Sequence, residues 1–225
     1  MVSMPKAHRE VGKLLAILES VPSARVPAER QAHCVAGLAA VARSRSLLKG
    51  TVALDEAGRA DLLGITVRAL LEVWYFGVIA LLGDDADLKR LEDDHRYWRN
   101  ALAEALPGAE PDTGPTATFS VFARAKRADE LLASIGEPAG LAVEWYRELY
   151  AGESLTQAHA GIESLKPYVV ETADGSVGIE HEPEVDEGLS YGRIRVATIL
   201  TALLAKWTWE RVGLDATVFD ELDDD

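Results

Sequence analysis

Two opposite charges lie within the most apolar stretch of this 225-residue sequence. Arg68 and Glu72 are four residues apart, so on a helix they share one face and can form an ion pair. Their neighbours are apolar and include Val67, Leu70 and Trp74. Because a buried charge without a partner is costly, we expect the two side chains to satisfy one another inside the protein. The pair would then either fix how helices pack or line a polar pocket.

Two histidines and a serine extend this candidate polar cluster, which comprises Arg68, Glu72, His95, Ser154 and His159. His95 falls on the apolar stripe of a predicted helix, where a histidine commonly bonds to a carbonyl or a carboxylate. Placed near Arg68 and Glu72, it could instead transfer protons. His159 follows Ser154 by five residues and could join them. No G-x-S-x-G turn surrounds Ser154, which disfavours a serine nucleophile.

Arg90 and His95 suggest a different chemistry, because an arginine, four residues and a histidine follow one another here. This spacing resembles the motif of the higher-eukaryote/prokaryote nucleotide-binding (HEPN) helical proteins, several of which are metal-independent ribonucleases. The resemblance implies that Arg90 binds phosphate and that His95 acts on the 2′-hydroxyl or on the leaving group. Five helical residues turn two side chains about 140° apart. Catalysis would therefore require the two residues to face one solvent cleft, as across a dimer interface.

Helices must position these residues, because the sequence is rich in Ala and Leu and has few strand-forming runs. Helices are predicted at about 5–21, 27–49, 62–82, 86–106, 116–134, 138–150, 154–167 and 187–212. The third, with Asp55 as a plausible N-cap, is apolar on every side, which is typical of the central helix of a bundle. The fourth has a stripe with steps of three and four, which predicts its core side: Leu88, Leu91, His95, Trp98, Leu102 and Ala105.

One short β-hairpin is predicted late in the chain, with strands at about 169–172 and 176–181 around an Asp174-Gly175 turn. An isolated hairpin is marginally stable, so we expect it to lie against the helices. The predicted fold class is all-α, a bundle of seven or eight helices with one hairpin. Residues 1–218 are predicted to form a single domain, because the Pro- and Gly-rich loop 107–115 is flanked by apolar helix faces that need covering. The acidic residues 219–225 are predicted to form a solvated tail.

The order of these features resembles a large family of bacterial helical proteins known only as a domain of unknown function. Its members share an Arg-x-x-x-Glu centre and a later helical segment with Ser and His. The likeness covers roughly residues 27–210, and the segments that carry it are Ala42-Arg43-Ser44-Arg45, residues 64–72, Tyr146-Arg147-Glu148-Leu149, Ser154 and His159. The resemblance implies a helical bundle in which Arg68, Glu72 and His159 are recurrent polar positions. It implies no activity.

Charge and cysteine content restrict the partners and the compartment. The formal net charge is −14, from 37 acidic and 23 basic residues, which disfavours anionic membranes and nucleic acid as partners. Nucleic acid is expected only under the ribonuclease hypothesis. Cys34 is the only cysteine, so no disulfide can form within the chain and a reducing cytoplasm is expected. The polar N-terminus shows no signal peptide, and Arg68 and Glu72 would be costly in a lipid-spanning helix.

Three hypotheses of function follow from these patterns. The first is a non-enzymatic binding or accessory protein with a protein partner or self-association and an exposed apolar patch; the family resemblance suggests that it belongs to a bacterial stress or phage-defence locus. The second is a HEPN-like ribonuclease that uses Arg90 and His95. The third is a small-ligand sensor whose polar pocket includes Arg68 and Glu72. No metal, nucleotide or other cofactor motif is present, so we expect no cofactor.

Overall fold

The computed structural model describes residues 4–20, 26–105, 112–113, 117–154, 168–171, 177–180 and 185–222. Over these residues the predicted all-α bundle is confirmed. The sixth helix, α6, is continuous but has a π-helical turn, Tyr146–Tyr150, between Leu141–Trp145 and Ala151–Glu153. The other helices are α1 (Met4–Glu19), α2 (Gln31–Glu56), α3 (Leu63–Leu82), α4 (Asp85–Ala105), α5 (Val121–Ser134) and α7 (Glu187–Val212).

The centre of the bundle is α3, as its apolar composition predicts. Two adjacent faces of this helix are completely buried, and they carry Leu70, Leu71, Trp74 and Tyr75. Ala60–Leu82 is the one segment of the described chain long and apolar enough to cross a membrane, and more than half of its apolar window is buried inside the protein. Packing in the bundle therefore accounts for its composition, which is consistent with a soluble protein.

Small residues let α2 and α7 approach α3 closely. A Cβ at Gly77 would lie 2.9 Å from the Cβ of Ala40 in α2 and 2.8 Å from the Cδ1 of Leu204 in α7. The hydroxyl of Thr51, near the end of α2, donates to that of Thr66, near the start of α3, at 2.9 Å. Since residues further along α2 meet residues earlier in α3, these two helices run antiparallel.

In contrast, α7 runs parallel to α3. Gly37 of α2 faces both Leu81 and Thr208, four residues beyond the Gly77 and Leu204 pair in each helix. The starts of α3 and α7 therefore lie at the same end of the bundle. Arg68 and Glu72, two of the candidate polar residues, lie in the part of α3 nearer this end.

Several boundaries differ from the sequence-based expectation. α2 continues through Gly50 to Glu56, because packing on α3 outweighs the low helix propensity of one glycine. Asp55, expected to cap the third helix, lies in the last turn of α2 and accepts a hydrogen bond from His8 Nε2 at 2.9 Å. α5 begins at Val121, where the Ser120 side chain accepts from Ala123 N, rather than near residue 116. The predicted helix 154–167 and the hairpin turn lie outside the described residues.

Two short strands, β1 (Val169–Glu171) and β2 (Val177–Ile179), pair antiparallel. The Tyr168 hydroxyl, just before β1, donates to Asp61 at 2.7 Å and so ties this part of the chain to the start of α3. The directly opposed Val169 and Ile179 are 55% and 74% exposed. The hairpin is therefore attached at its base, and its apolar pair does not pack on the helices as expected.

The chain end also differs from the predicted solvated tail. Thr217–Leu222 forms a 3₁₀ helix. Within it Phe219 is buried and meets the ring of Trp209 edge to face, with the centroids 5.5 Å apart. Asp220 accepts a hydrogen bond from Lys206 Nζ at 2.6 Å. The prediction that the tail begins at Phe219 is wrong, because this aromatic side chain completes the core beside α7.

Candidate functional site

The predicted Arg68–Glu72 pair is joined by a third side chain, Tyr150 of α6. Arg68 Nη2 donates to the Tyr150 hydroxyl at 3.0 Å, and this hydroxyl donates to Glu72 Oε1 at 2.9 Å. Arg68 Nε lies 3.6 Å from the same carboxylate oxygen, within ion-pair range but too far for a hydrogen bond. The guanidinium also faces the Tyr150 ring, 5.0 Å from its centroid. The two charges are therefore satisfied mainly through a phenol.

These charges lie at the edge of the bundle and not in its interior. The side chains of Arg68 and Glu72 are 24% and 38% exposed. Ile65, three residues before Arg68 on the same face of α3, is exposed as well. The expectation that the pair is shielded from water is half right: α6 covers it on one side, and this face of α3 reaches the surface on the other.

Tyr150 is a hydrogen-bond donor at neutral pH. Burial raises its pKa and the Glu72 carboxylate adds to the effect, against the opposing hydrogen bond from Arg68. The phenol therefore stays protonated. Ser154 lies one turn further along α6, and its hydroxyl donates a hydrogen bond to the Tyr150 carbonyl at 2.6 Å. Because the hydroxyl proton is bonded to a backbone carbonyl and not to a general base, this contact does not activate the serine oxygen as a nucleophile. His159 lies outside the described residues.

A second ion pair lies one turn beyond Tyr150. Arg193 of α7 donates to Glu153 through Nε at 2.7 Å and through Nη2 at 2.9 Å, and the side chains are only 6% and 11% exposed. α6 is thus held to α3 by Tyr150 and to α7 by Glu153. The sequence pattern does not identify Tyr150 and Glu153 as partners of α3 and α7. The one sequence signal is their spacing, which places Tyr150, Glu153 and Ser154 on the same face of a helix.

The apolar stripe of α4 is covered over its first half only. Leu91 is buried and Leu88 half-buried. Further along the same line His95 is exposed, Trp98 is 61% exposed and Leu102 is 60% exposed. We call His95, Trp98 and Leu102 the α4 stripe. The prediction that His95, Trp98 and Leu102 face the core is wrong, because these side chains are exposed; among the described residues, the last buried side chain of α4 is that of Asp94, which contacts Phe119 and Arg124.

Carboxylates, rather than apolar groups, take much of the covered face of α4. Asp87 accepts from Arg127 Nε at 3.0 Å and Nη2 at 2.8 Å. Asp94 accepts from Phe119 N at 2.5 Å and from the Arg124 guanidinium. Burial opposes ionisation of Asp87, but the hydrogen bonds from Arg127 and from the Asp84 backbone, together with the positive charges of Arg127 and Arg90, hold its pKa below the usual range. Both carboxylates are buried, so α5 is fastened to α4 by charge-assisted hydrogen bonds.

The second half of α4 touches little else in the described part of the chain. Asn100 exchanges two hydrogen bonds with the Asp112 backbone, at 3.1 and 2.7 Å. Arg96 Nε and Arg99 Nη2 lie 3.8 and 3.9 Å from the Asp112 carboxylate. The Trp98 ring meets the ring of Tyr97 edge to face. Nothing described here covers the outer side of Trp98.

The proposed ribonuclease pair has two different surroundings. The Arg90 guanidinium lies over the Phe119 ring, 3.8 Å from its centroid, on the side of α4 that faces α5. His95 is exposed on the α4 stripe. Within the described residues, no hydrogen bond or ion pair links His95 to Arg90, Arg68 or Glu72.

The structure thus joins Arg68 and Glu72 through Tyr150, sets Ser154 one turn away on α6, and separates His95 from them. Comparison of the chain with models of known protein families, with curated proteins and with solved structures found no match. What the protein does is therefore inferred from its own two surfaces, the polar cluster on α6 and the α4 stripe.

Proposed function

We propose that the protein is a non-enzymatic binding module that docks another protein on the α4 stripe. The observation that carries this proposal is the exposure of Trp98 and Leu102, at 61% and 60%, directly in line with the buried Leu91. Full burial of one large apolar side chain stabilises a structure by about 1.5–3 kcal/mol. A partner that covered both residues would gain that stabilisation.

The composition around the stripe fits a protein interface. Trp, Tyr and Arg dominate the energetic centres of such interfaces, and residues 96–99 read Arg-Tyr-Trp-Arg. The tryptophans of the bundle behave differently, since Trp74, Trp207 and Trp209 are at most 6% exposed. The bundle therefore buries tryptophan side chains where neighbouring helices cover them. Trp98 is exposed because of its position on α4.

The polar cluster supports a structural role beside this docking face. Tyr150 and Glu153 form short hydrogen bonds to α3 and α7, and the Ser154 hydroxyl is bonded to its own helix. These contacts hold α6 in place, and they are the contacts expected of a rigid scaffold. The lone, buried Cys34 supports action in a reducing cytoplasm.

Site-specific photo-crosslinking in cells that express the chain tests the proposal. A photoreactive phenylalanine analogue at Trp98 should give a discrete crosslinked product that contains a second protein. The same analogue at Val35, which is 51% exposed on α2, is the matched control and should give none. A folded Trp98 variant without a crosslinked product, or equal crosslinking at both positions, would contradict a docking role for α4.

A further inference from the structure

We infer that a cavity beside the last turns of α3, α5 and α7 binds a small zwitterion with an apolar side chain, of the class of the apolar α-amino acids. The ligand carboxylate accepts hydrogen bonds from Trp207 and Arg211, and the ligand ammonium donates to Glu210. The cavity shares no residue with the α4 stripe, so this inference does not depend on the docking proposal. It follows from the shape of the cavity, from an indole N–H without an acceptor, and from the unpaired charges beside it.

The cavity lies where these three helices end. Leu82 is the last residue of α3, Ile135 follows the last residue of α5, and Leu203 lies in the later part of α7. The volume of the cavity is about 540 Å³, within the range of roughly 300–1,000 Å³ that is typical of small-molecule sites. Leu82 and Leu203 are half-buried, and Ile135 is 40% exposed. Their side chains give the cavity an apolar surface that the side chain of a ligand can cover.

Trp207 contributes a hydrogen-bond donor to this cavity. Trp207 lines the cavity, is only 4% exposed, and packs on the ring of Trp74 with the centroids 5.9 Å apart. Within the described residues its indole N–H has no acceptor, and unlike the N–H of Trp74 it is not sealed within the core. Because so little of Trp207 is exposed, we place this N–H at the cavity. A tryptophan N–H removed from bulk water usually has an acceptor, and a ligand oxygen supplies one here.

Two side chains of opposite charge flank Trp207 one turn further along α7. With 100° between successive residues, Glu210 lies about 60° to one side of Trp207 and Arg211 about 40° to the other. Both residues are exposed and line the cavity, and neither forms an ion pair within the described part of the chain. A carboxylate bound by the Trp207 N–H and Arg211 therefore has a site for a positive charge beside it, at Glu210. An α-amino acid carries its ammonium group next to its carboxylate.

Ligands with a single charge fit the cavity less well. Lys206 and Glu137 also line it, so the described residues around it include two acids and two bases. A simple carboxylic acid would meet Glu137 and Glu210 without compensation, and Lys206 already donates to a carboxylate outside the cavity. A simple amine would leave the Trp207 N–H and Arg211 without acceptors. A zwitterion satisfies both kinds of group together, and the ligands of single charge are outcomes of the test.

The test follows the indole N–H resonances of the five tryptophans by NMR of the ¹⁵N-labelled full chain, while phenylalanine or leucine is added. The Trp207 resonance, identified by its loss in Trp207→Phe, should shift saturably with a dissociation constant of about 1 mM or below. The Trp74 resonance should not move, because its N–H is sealed within the core. No saturable shift of the Trp207 resonance with either amino acid, or equal shifts of all five resonances, would overturn the inference.

Matched analogues of the two amino acids separate the contributions of the two charges. Hydrocinnamate and isocaproate keep the apolar group and the carboxylate, whereas phenethylamine and isoamylamine keep the apolar group and the ammonium. Each analogue should bind about tenfold more weakly than its parent amino acid, since it loses a charge-assisted hydrogen bond. An analogue that binds as tightly as its parent would refute the zwitterion and would identify a ligand of single charge instead.

Variants of α7 test the two charged contacts. Arg211→Gln and Glu210→Gln should each lower the affinity for the amino acid about tenfold, and both positions are exposed, so the fold should be unaffected. Arg147→Gln and Glu148→Gln change the same pair of residue types at adjacent exposed positions of α6 and should leave the affinity unchanged. Equal effects of the α6 and α7 variants, or unchanged affinity in either α7 variant, would overturn the inference.

Discussion

α3 and α4 follow one another in the chain and place their apolar and charged side chains in opposite ways. α3 buries large apolar residues on nearly every side, and its charged pair, Arg68 and Glu72, reaches the surface. α4 buries two carboxylates and leaves Trp98 and Leu102 in water. Chemical type alone therefore does not decide burial. A position is buried where a neighbouring element covers it and supplies matching groups, as α5 does for the α4 carboxylates.

Removal of a buried carboxylate from α4 should have the largest effect on stability. Asp94→Ala leaves Arg124 and the backbone N–H of Phe119 without their acceptor in a buried site. We expect the free energy of unfolding to fall by about 3 kcal/mol, as measured by urea unfolding. The buried side of α4 would then depend on charge pairing more than on apolar contact.

Asp93→Ala is the matched control for this change. Asp93 lies next to Asp94 on the same helix and forms ion pairs with Lys89 and Arg96 at 3.5 and 3.6 Å. Such pairs near the surface contribute less than about 1 kcal/mol. Equal losses of stability for the two variants would show that Asp94 is not the attachment between α4 and α5.

Acid should weaken the same attachment through Asp87. Burial raises the pKa of this carboxyl, but the hydrogen bonds from Arg127 and the Asp84 backbone and the charges of Arg127 and Arg90 together lower it in the folded state. A lowered pKa contributes stability above the unfolded value of about 3.9, and that contribution is lost as the pH falls through the folded pKa. We expect it to amount to about 1.4 kcal/mol for each unit of lowering.

Unfolding free energies measured at several pH values down to about pH 2 test this expectation. The wild-type chain should lose more stability below about pH 4 than Asp87→Asn, which keeps the shape of the side chain but carries no charge. Parallel pH profiles for the two proteins would contradict the role of Asp87.

On α3, loss of the bridging phenol should have a moderate effect. Tyr150→Phe removes the hydroxyl that accepts from Arg68 and donates to Glu72. We expect a loss of about 1 kcal/mol in unfolding free energy, limited because Arg68 and Glu72 are already 3.6 Å apart and can pair directly.

Tyr146→Phe provides the comparison for that measurement. The Tyr146 ring stacks on that of Tyr150 with the centroids 5.2 Å apart, and its hydroxyl forms no hydrogen bond within the described part of the chain. We expect a change below about 0.5 kcal/mol. If Tyr146→Phe lowers the unfolding free energy as much as Tyr150→Phe does, then ring packing, and not the hydroxyl bridge, holds α6 to α3.

Local signals in the sequence were sufficient to predict much of the fold. The bounds of α7 agree with the prediction because Asp186 caps its start, accepting from Leu189 N at 2.9 Å, and Gly213 ends it in a left-handed conformation with φ 72°. α3 was predictable from its continuous apolar composition. Both signals lie within a few residues of the feature that they determine.

The site depends on partners that are distant in sequence. Arg68 and Glu72 could be paired from their spacing, but Tyr150, which joins them, is 78 residues beyond Glu72. In the same way, the pattern of the stripe on α4 gives no indication that its side chains are exposed beyond Leu91. Arg124 and Arg127 neutralise carboxylates that a stripe of apolar residues does not reveal. Periodicity therefore predicts the direction of a helix face and leaves open what covers it.

Acrylamide quenching of tryptophan fluorescence tests the exposure of the α4 stripe most directly. Among the five tryptophans, Trp98 is 61% exposed, whereas Trp74, Trp207 and Trp209 are at most 6% exposed. Trp98→Phe should change the unfolding free energy by less than about 0.5 kcal/mol, lower the quenching constant and shift the emission to shorter wavelength. Quenching and emission identical to those of the wild-type chain would mean that Trp98 is covered and that α4 offers no docking face.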